Sequence, residues 1–280
     1  MWLVTGTSGQ LGSDVLAELK RRGIECFAAT RQELPLGEGR AAEVLSRLKP
    51  EVVVHCAAYT AVDKAEDEPE LCRRVNAAGT AELAAACRAA GAKLVYISTD
   101  YVFPGDGTDF YRPEDEKGPQ NVYGASKLAG EQAVQAALER YFIVRISWVF
   151  GRNGKNFIRT MLNLAKTHDR LTVVDDQTGS PTYTADLAPL LCDMAATDKY
   201  GVYHATNEGV CSWADLAIET FRLAGLPVTI ERVPSAAYPT KARRPKNSRL
   251  DKSCLDAAGF RRLPPWQDAV ARYLREIEAI

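Results

Sequence analysis

Tyr123 and Lys127 are the residues of this chain whose types and spacing best suit proton transfer. They stand four positions apart in a segment of helical periodicity, so their side chains share one face, one turn apart. A free phenol titrates near ~10 and a free lysine near ~10.4. A nearby ammonium favours tyrosinate, so the pair is expected to lower the phenol toward neutrality, where it exchanges protons with a carbonyl oxygen. Upstream, an apolar run ends in Ser98-Thr99-Asp100, and a strand-end hydroxyl there can hydrogen-bond the same oxygen. Thr99 is the first choice for that hydroxyl. Ser98 is the second, since it directly follows Ile97 and could equally satisfy backbone groups. The ordinary alternative is a surface Tyr–Lys pair; it loses here because Tyr123 follows a loop and Ser98-Thr99-Asp100 closes the preceding strand.

Near the N-terminus, Gly6-Thr7-Ser8-Gly9-Gln10-Leu11-Gly12 follows the apolar run Trp2-Leu3-Val4 and opens a helical pattern. A glycine-rich turn of this kind lets backbone N–H groups approach a pyrophosphate, whose charge the helix N-terminus favours. Combined with Tyr123, Lys127 and Thr99, it points to hydride chemistry with a nicotinamide dinucleotide. The spacing is G-x-x-G-x-x-G rather than G-x-G-x-x-G, and it resembles that of short-chain dehydrogenase/reductases of the extended type. After the second apolar run comes Arg31, with no Asp or Glu at the strand end, which favours the 2′-phosphate of NADP(H) over NAD(H). Glu33 lies close enough to blunt that preference. After the third run, Ala57, Ala58 and Thr60 offer small residues beside which an adenosine ribose could lie.

These residues need strand ends to hold them. Apolar runs at 2–4, 26–29, 52–56, 94–97, 142–146, 171–174 and 202–204 alternate with helix-period segments at 10–22, 41–48, 69–90, 125–140, 157–167 and 184–195. Continuous apolar strands separated by helices predict α/β architecture, a doubly wound parallel sheet of Rossmann type. Residues 1–150 read as the NADP-binding Rossmann domain, with later strands returning at about 171–205. Residues 151–280 read mainly as a smaller, interleaved substrate-binding lobe, with a Pro- and Arg-rich stretch at 233–249 and a last helix over 266–277. Ligands of such sheets bind at carboxyl strand ends. Asp63, Glu66, Asp67 and Glu68 read as a solvated approach to the helix near Pro69, and Asn76 as a solvent-facing amide within it.

The 280 residues carry a formal net charge of −1, which argues against nucleic-acid binding. The apolar stretches are too short to span a bilayer and no secretory signal is visible, so a cytoplasmic protein is expected. Seven cysteines without a C-x-x-C pair suit a reduced compartment, and His55, His168 and His204 are isolated from one another.

Over nearly its whole length the chain resembles the dTDP-4-dehydrorhamnose reductase family. The resemblance rests on Gly9-Gln10-Leu11-Gly12, on Ala57-Ala58-Tyr59-Thr60-Ala61-Val62-Asp63-Lys64-Ala65-Glu66 and on Ser98-Thr99-Asp100-Tyr101-Val102-Phe103. It extends through Asn121-Val122-Tyr123-Gly124 with Lys127-Leu128-Ala129-Gly130-Glu131, Arg145-Ile146-Ser147-Trp148-Val149-Phe150-Gly151, Asp176-Gln177 with Gly179-Ser180-Pro181-Thr182-Tyr183-Thr184, and Arg244-Pro245-Lys246-Asn247-Ser248.

The resemblance implies NADPH-dependent reduction of the 4-keto group of a dTDP sugar, with Tyr123 as proton donor and Lys127 as its partner and ribose contact. It places Gly9, Gln10, Leu11, Ala57, Ala58 and Thr60 at the cofactor, and Thr99, Asp100 and Trp148 at the nucleotide-sugar substrate. Arg244, in a Pro-bounded loop beside Arg243, offers a guanidinium suited to phosphate. Another extended-type reductase or epimerase, or a non-catalytic cofactor-binding regulatory subunit, are the alternatives. Some members bind Mg²⁺ at a dimer interface, so a homodimer is allowed; the corresponding positions here are Asp14 and Asp186, Asp rather than Glu, and no metal ligand is assigned. The chain departs from the family again at Leu34-Pro35-Leu36, where an Asp is usual near the adenine.

Overall fold

The computed structural model describes residues 1–279. Strands β1 (Trp2–Thr5), β2 (Cys26–Ala29), β3 (Val52–His55), β4 (Lys93–Thr99) and β5 (Tyr141–Ile146) join an edge strand, Gly201–His204, in one parallel sheet. Their spatial order is β2-β1-β3-β4-β5 and then the edge strand. Side chains alternate between the two faces. Leu3, Val53 and Leu94 stand in register toward one core, and Val4, Val54 and Val95 toward the other. All six are fully buried, each contributing about 1.5–3 kcal/mol of apolar transfer. Helix α1 (Gln10–Arg21) and the Thr184–Ala195 helix cover one face; the Ala41–Leu48, Gly79–Ala90 and Val122–Ala137 helices cover the other.

The chain runs from β1 outward to β2, then returns past β1 to β3. The crevice between the carboxyl ends of β1 and β3 is therefore the switch point at which doubly wound sheets bind ligands. Beyond β5 the chain builds short sheets of two and three strands, packed with the Phe157–Leu164, Trp213–Ala224 and Trp266–Glu276 helices.

Two expected elements differ. The run at 171–174 does not return to the central sheet: Arg170–Val174 pairs in parallel with Thr229–Val233. Only Val173 of that strand is buried, and a sheet interior needs both faces covered. The helix expected over 69–90 is interrupted: Pro69–Arg73 and Gly79–Ala90 flank a π-helical turn at Arg74–Ala78. That extra residue per turn rotates Asn76 inward, where it is 1% exposed.

Candidate active site

A cleft of about 970 Å³ opens at the switch point. Gly6, Gly9, Gln10, Leu11, Gly12, Arg31, Ala57, Ala58, Thr60, Thr99, Asp100, Tyr123, Lys127 and Trp148 all line it. Gly6 has φ +68°, and a Cβ there would lie 2.6 Å from the Ala57 nitrogen across the crevice. A Cβ on Gly12 would lie 2.2 Å from the Gly6 carbonyl oxygen, so a side chain at either position would fill the turn. The first turn of α1 thus presents open backbone to the cleft, which fits a dinucleotide pyrophosphate. Arg31 is exposed at the rim. The Glu33 carboxylate nearby accepts from both the backbone N–H and the hydroxyl of Thr30 at 2.8 Å.

Tyr123 lies in the first turn of the Val122–Ala137 helix, which Asn121 caps through the Gly124 N–H at 2.8 Å. The Glu66 carboxylate also accepts from the Val122 N–H at 2.8 Å. One turn after Lys127, Glu131 forms a two-pronged buried ion pair with Arg145 of β5, fixing the helix against the sheet. The Lys127 ammonium is buried in the cleft wall, donates to the Ile97 carbonyl at 2.7 Å and lies 4.1 Å from the centre of the Tyr96 ring. Burial pushes its pKa down to about 7. Tyr123 moves the opposite way from the sequence expectation: burial raises its phenol well above the ordinary value, with the Thr99 side chain pulling it back. The lysine does not lower it because desolvation outweighs the charge effect at this depth.

Thr99 caps the turn after β4: its hydroxyl accepts from the Tyr101 N–H at 3.3 Å and donates to Asp100 Oδ1 at 3.0 Å. Asp100 also accepts from the Ser248 hydroxyl, and burial pushes its carboxyl up to about 6. The neighbouring Ser98 lines the cleft, and its Oγ is buried without a protein hydrogen-bond partner.

Two features escaped the sequence reading. Asn76 accepts from the Tyr59 N–H at 2.7 Å and donates to the Tyr59 carbonyl and to Ser126 Oγ at 3.0 Å, joining the loop after β3 to the helix of Tyr123. The acidic residues are likewise not simply solvated. Asp63 takes Arg244 at 2.7 Å, Asp67 takes Lys241, and Tyr59 donates to Glu68 at 2.9 Å. No local pattern announces these partners; the nearest signal is the i, i+3, i+4 spacing of Asp63, Glu66 and Asp67.

Arg244 does not line the cleft itself; it reaches Tyr101, which does, at 3.3 Å. It belongs to a strap at 239–246 whose four cations each meet a different carboxylate: Lys241 with Asp67, Arg243 with Asp106, Arg244 with Asp63 and Lys246 with Asp176. Trp148, at the far end of the cleft, has φ +51°, a left-handed conformation costing about 1–3 kcal/mol for a bulky residue.

At the two positions tied to Mg²⁺ by the resemblance, the carboxylates have protein surroundings of their own. Asp186 is gripped by Arg272 at 2.6 and 2.7 Å and by the Asn207 amide at 2.8 Å. Burial raises the Asp14 carboxyl above its ordinary value. Among the described residues no helix is long and apolar enough to cross a membrane.

The fold and this cleft define a doubly wound α/β protein of the short-chain dehydrogenase/reductase class. The family model described as RmlD substrate binding domain matches residues 1–279. A Streptomyces griseus dTDP-4-dehydrorhamnose reductase is 46% identical over 277 residues, spanning 96% of this chain and 91% of the relative. The crystal structure of a dTDP-4-dehydrorhamnose reductase from Clostridium acetobutylicum matches with a TM-score of 0.97 at 40% identity, covering 99% of each chain. The Bacillus anthracis reductase, crystallised in complex with NADP, matches with a TM-score of 0.96 at 40% identity over 98% of each chain. The chain belongs to the dTDP-4-dehydrorhamnose reductase family.

Proposed function

We propose that this chain reduces the 4-keto group of dTDP-4-dehydro-L-rhamnose to give dTDP-L-rhamnose, with NADPH as reductant. The observation that carries this reading is the meeting of Tyr123, Lys127 and Thr99 with the glycine turn in one cleft. The names of the relatives and the NADP in the Bacillus anthracis structure support it.

When bound, NADPH supplies the hydride. Gly6, Gly9, Gln10, Leu11 and Gly12, with Ala57, Ala58 and Thr60 across the crevice, are the residues to hold it, and Arg31 is the partner for its 2′-phosphate. Tyr123 gives its Oη proton to the substrate oxygen as negative charge develops there. The raised phenol suits a donor, because Tyr123 stays protonated at neutral pH until a carbonyl oxygen accepts from it. Thr99 steadies the same oxygen, with the unpartnered Ser98 hydroxyl beside it. Lys127 contacts the ribose and supplies charge next to the phenol. On the substrate side, Asp100 meets the sugar, Trp148 presents an apolar face, and Arg244 exchanges Asp63 for a phosphate. In this reading residues 1–150 form the cofactor half and 151–280 chiefly the substrate half.

The test is NADPH oxidation by the purified protein on addition of the dTDP 4-keto sugar. One NADPH consumed per dTDP-L-rhamnose formed is expected. A protein that retains tightly bound NAD and oxidises no NADPH with this sugar would be an epimerase, and the reductase assignment would fall.

A further inference from the structure

The left-handed backbone at Trp148 turns its indole out of the strand line toward the cleft, and something must hold the ring there. Its backbone carbonyl accepts from the Thr182 N–H at 3.2 Å, which fixes the main chain but not the indole. The ring itself stacks on Trp213, with centroids 3.8 Å apart and planes 15° from parallel. Gly179 leaves room on another side, since a Cβ there would lie 3.1 Å from the indole.

Trp213 does not line the cleft, yet it is itself firmly held. It is the first residue of the Trp213–Ala224 helix, whose start is closed by a reciprocal Ser212–Asp215 capping box. Phe157 packs on it at 4.7 Å, and its Nε1–H donates to Gln177 Oε1 at 3.1 Å. The Gln177 amide in turn donates to Ser235 Oγ at 3.2 Å, in the segment leading to the strap that carries Arg244. Trp213 therefore stands between a residue of the cleft and the segment that leads to the strap.

We propose that Trp213 is a positioning residue for the nucleotide sugar: it sets the plane of the Trp148 indole without touching the ligand. The proposal rests on the substrate role given to Trp148 above. Stacked aromatic pairs contribute enough that losing one partner corresponds to about a two- to tenfold change in an equilibrium. Trp213→Ala is expected to raise KM for the dTDP 4-keto sugar by that amount, with kcat and the Kd for NADPH little changed. Trp213→Phe keeps a ring under the indole and is expected to restore most of the loss. In a Trp148→Ala background, Trp213→Ala should add nothing further.

The experiment is steady-state kinetics and NADPH titration on wild type, Trp148→Ala, Trp213→Ala, Trp213→Phe and the double alanine variant, with near-ultraviolet circular dichroism as the check on stacking. The coupled signal of the two indoles should vanish in Trp148→Ala and in Trp213→Phe alike; its persistence in either overturns the proposal. So does an equal Trp213→Ala penalty in both backgrounds, or a matching loss of NADPH affinity, since either reports general loosening. A raised KM in Trp148→Ala beside an unchanged one in both Trp213 variants overturns this proposal alone. An unchanged KM in Trp148→Ala overturns the substrate role of Trp148 and this proposal with it.

Discussion

The Lys127 ammonium donates to the main-chain carbonyl of Ile97 at 2.7 Å, so the lysine anchors its helix to the strand that delivers Ser98 and Thr99. Tyr123, one turn earlier, meets Tyr101 edge-on at 5.5 Å.

Replacing Tyr123 by Phe keeps this packing and removes the transferable proton. The expected result is a fall in kcat of about 10²–10⁴-fold with NADPH affinity retained. Lys127→Ala is expected to lose activity and NADPH affinity together. A Tyr123→Phe enzyme keeping more than about a tenth of the wild-type rate would falsify the proton-donor role.

Arg31 stands exposed at the cleft rim while Glu33 is committed to Thr30. Losing one charge-assisted contact to phosphate costs roughly 1.5–3 kcal/mol, or about ten- to a hundred-fold. Arg31→Ala should therefore raise KM for NADPH by that factor and barely change KM for NADH. Equal effects on the two cofactors, compared in one assay series, would remove the 2′-phosphate assignment.

Arg244 is half-buried, with its guanidinium on the Tyr101 hydroxyl and the Asp63 carboxylate, and the proposed function has it take a substrate phosphate in place of Asp63. Arg244→Ala is expected to raise KM for the nucleotide sugar by about ten- to a hundred-fold on the same reasoning and leave NADPH binding alone. Fluorescence titration of NADPH beside steady-state kinetics checks it. Unchanged sugar KM would move the phosphate contact elsewhere.

His55 closes β3 in full burial, with Nδ1 2.8 Å from the Thr5 hydroxyl and Nε2 3.2 Å from that of Thr80. Burial, reinforced by the Lys127 charge, lowers its pKa from 6.5 to about 3. Between those values the unfolded chain binds a proton that the folded chain refuses, so this stabilisation is present above 6.5 and lost as pH falls toward 3. Buried His204 shifts in the same direction. Asp100, raised from 3.8 to about 6, opposes both over its own range. His55→Asn should flatten the rise of stability with pH across that window by up to about 1.4 kcal/mol per pH unit. Urea unfolding at several pH values measures the slope; an unaltered slope would show that His55 does not titrate this way.

The parts of the site legible in the sequence are those set by neighbours along the chain. The turn from Gly6 to Gly12 and the Tyr123–Lys127 spacing are local, and both lie at the cleft. Asn76 was not legible, because a helical period cannot show where one residue too many forms a π-turn, and its partner Ser126 is 50 positions away. Thr229–Val233, the partner of the Arg170–Val174 strand, could not be foreseen from an apolar run alone. The phenol of Tyr123 misled for a related reason: charge proximity is visible in spacing, whereas depth of burial is a property of the assembled fold.

The strap at 239–246 carries one fully buried apolar side chain, Ala242, and meets the rest of the molecule through its four ion pairs and through hydrogen bonds of its main chain. The Lys246 N–H donates to the Gly105 carbonyl at 3.0 Å, the Thr178 N–H to the Lys246 carbonyl at 2.9 Å and the Asn121 amide to the Arg243 carbonyl at 2.8 Å. The exposed ion pairs of the strap, Lys241 with Asp67 and Arg243 with Asp106, are each worth about 0–1 kcal/mol and are screened within roughly 8 Å at physiological salt. Raising the salt concentration therefore weakens the ionic part of the strap's attachment and leaves its main-chain hydrogen bonds to Gly105, Asn121 and Thr178 in place.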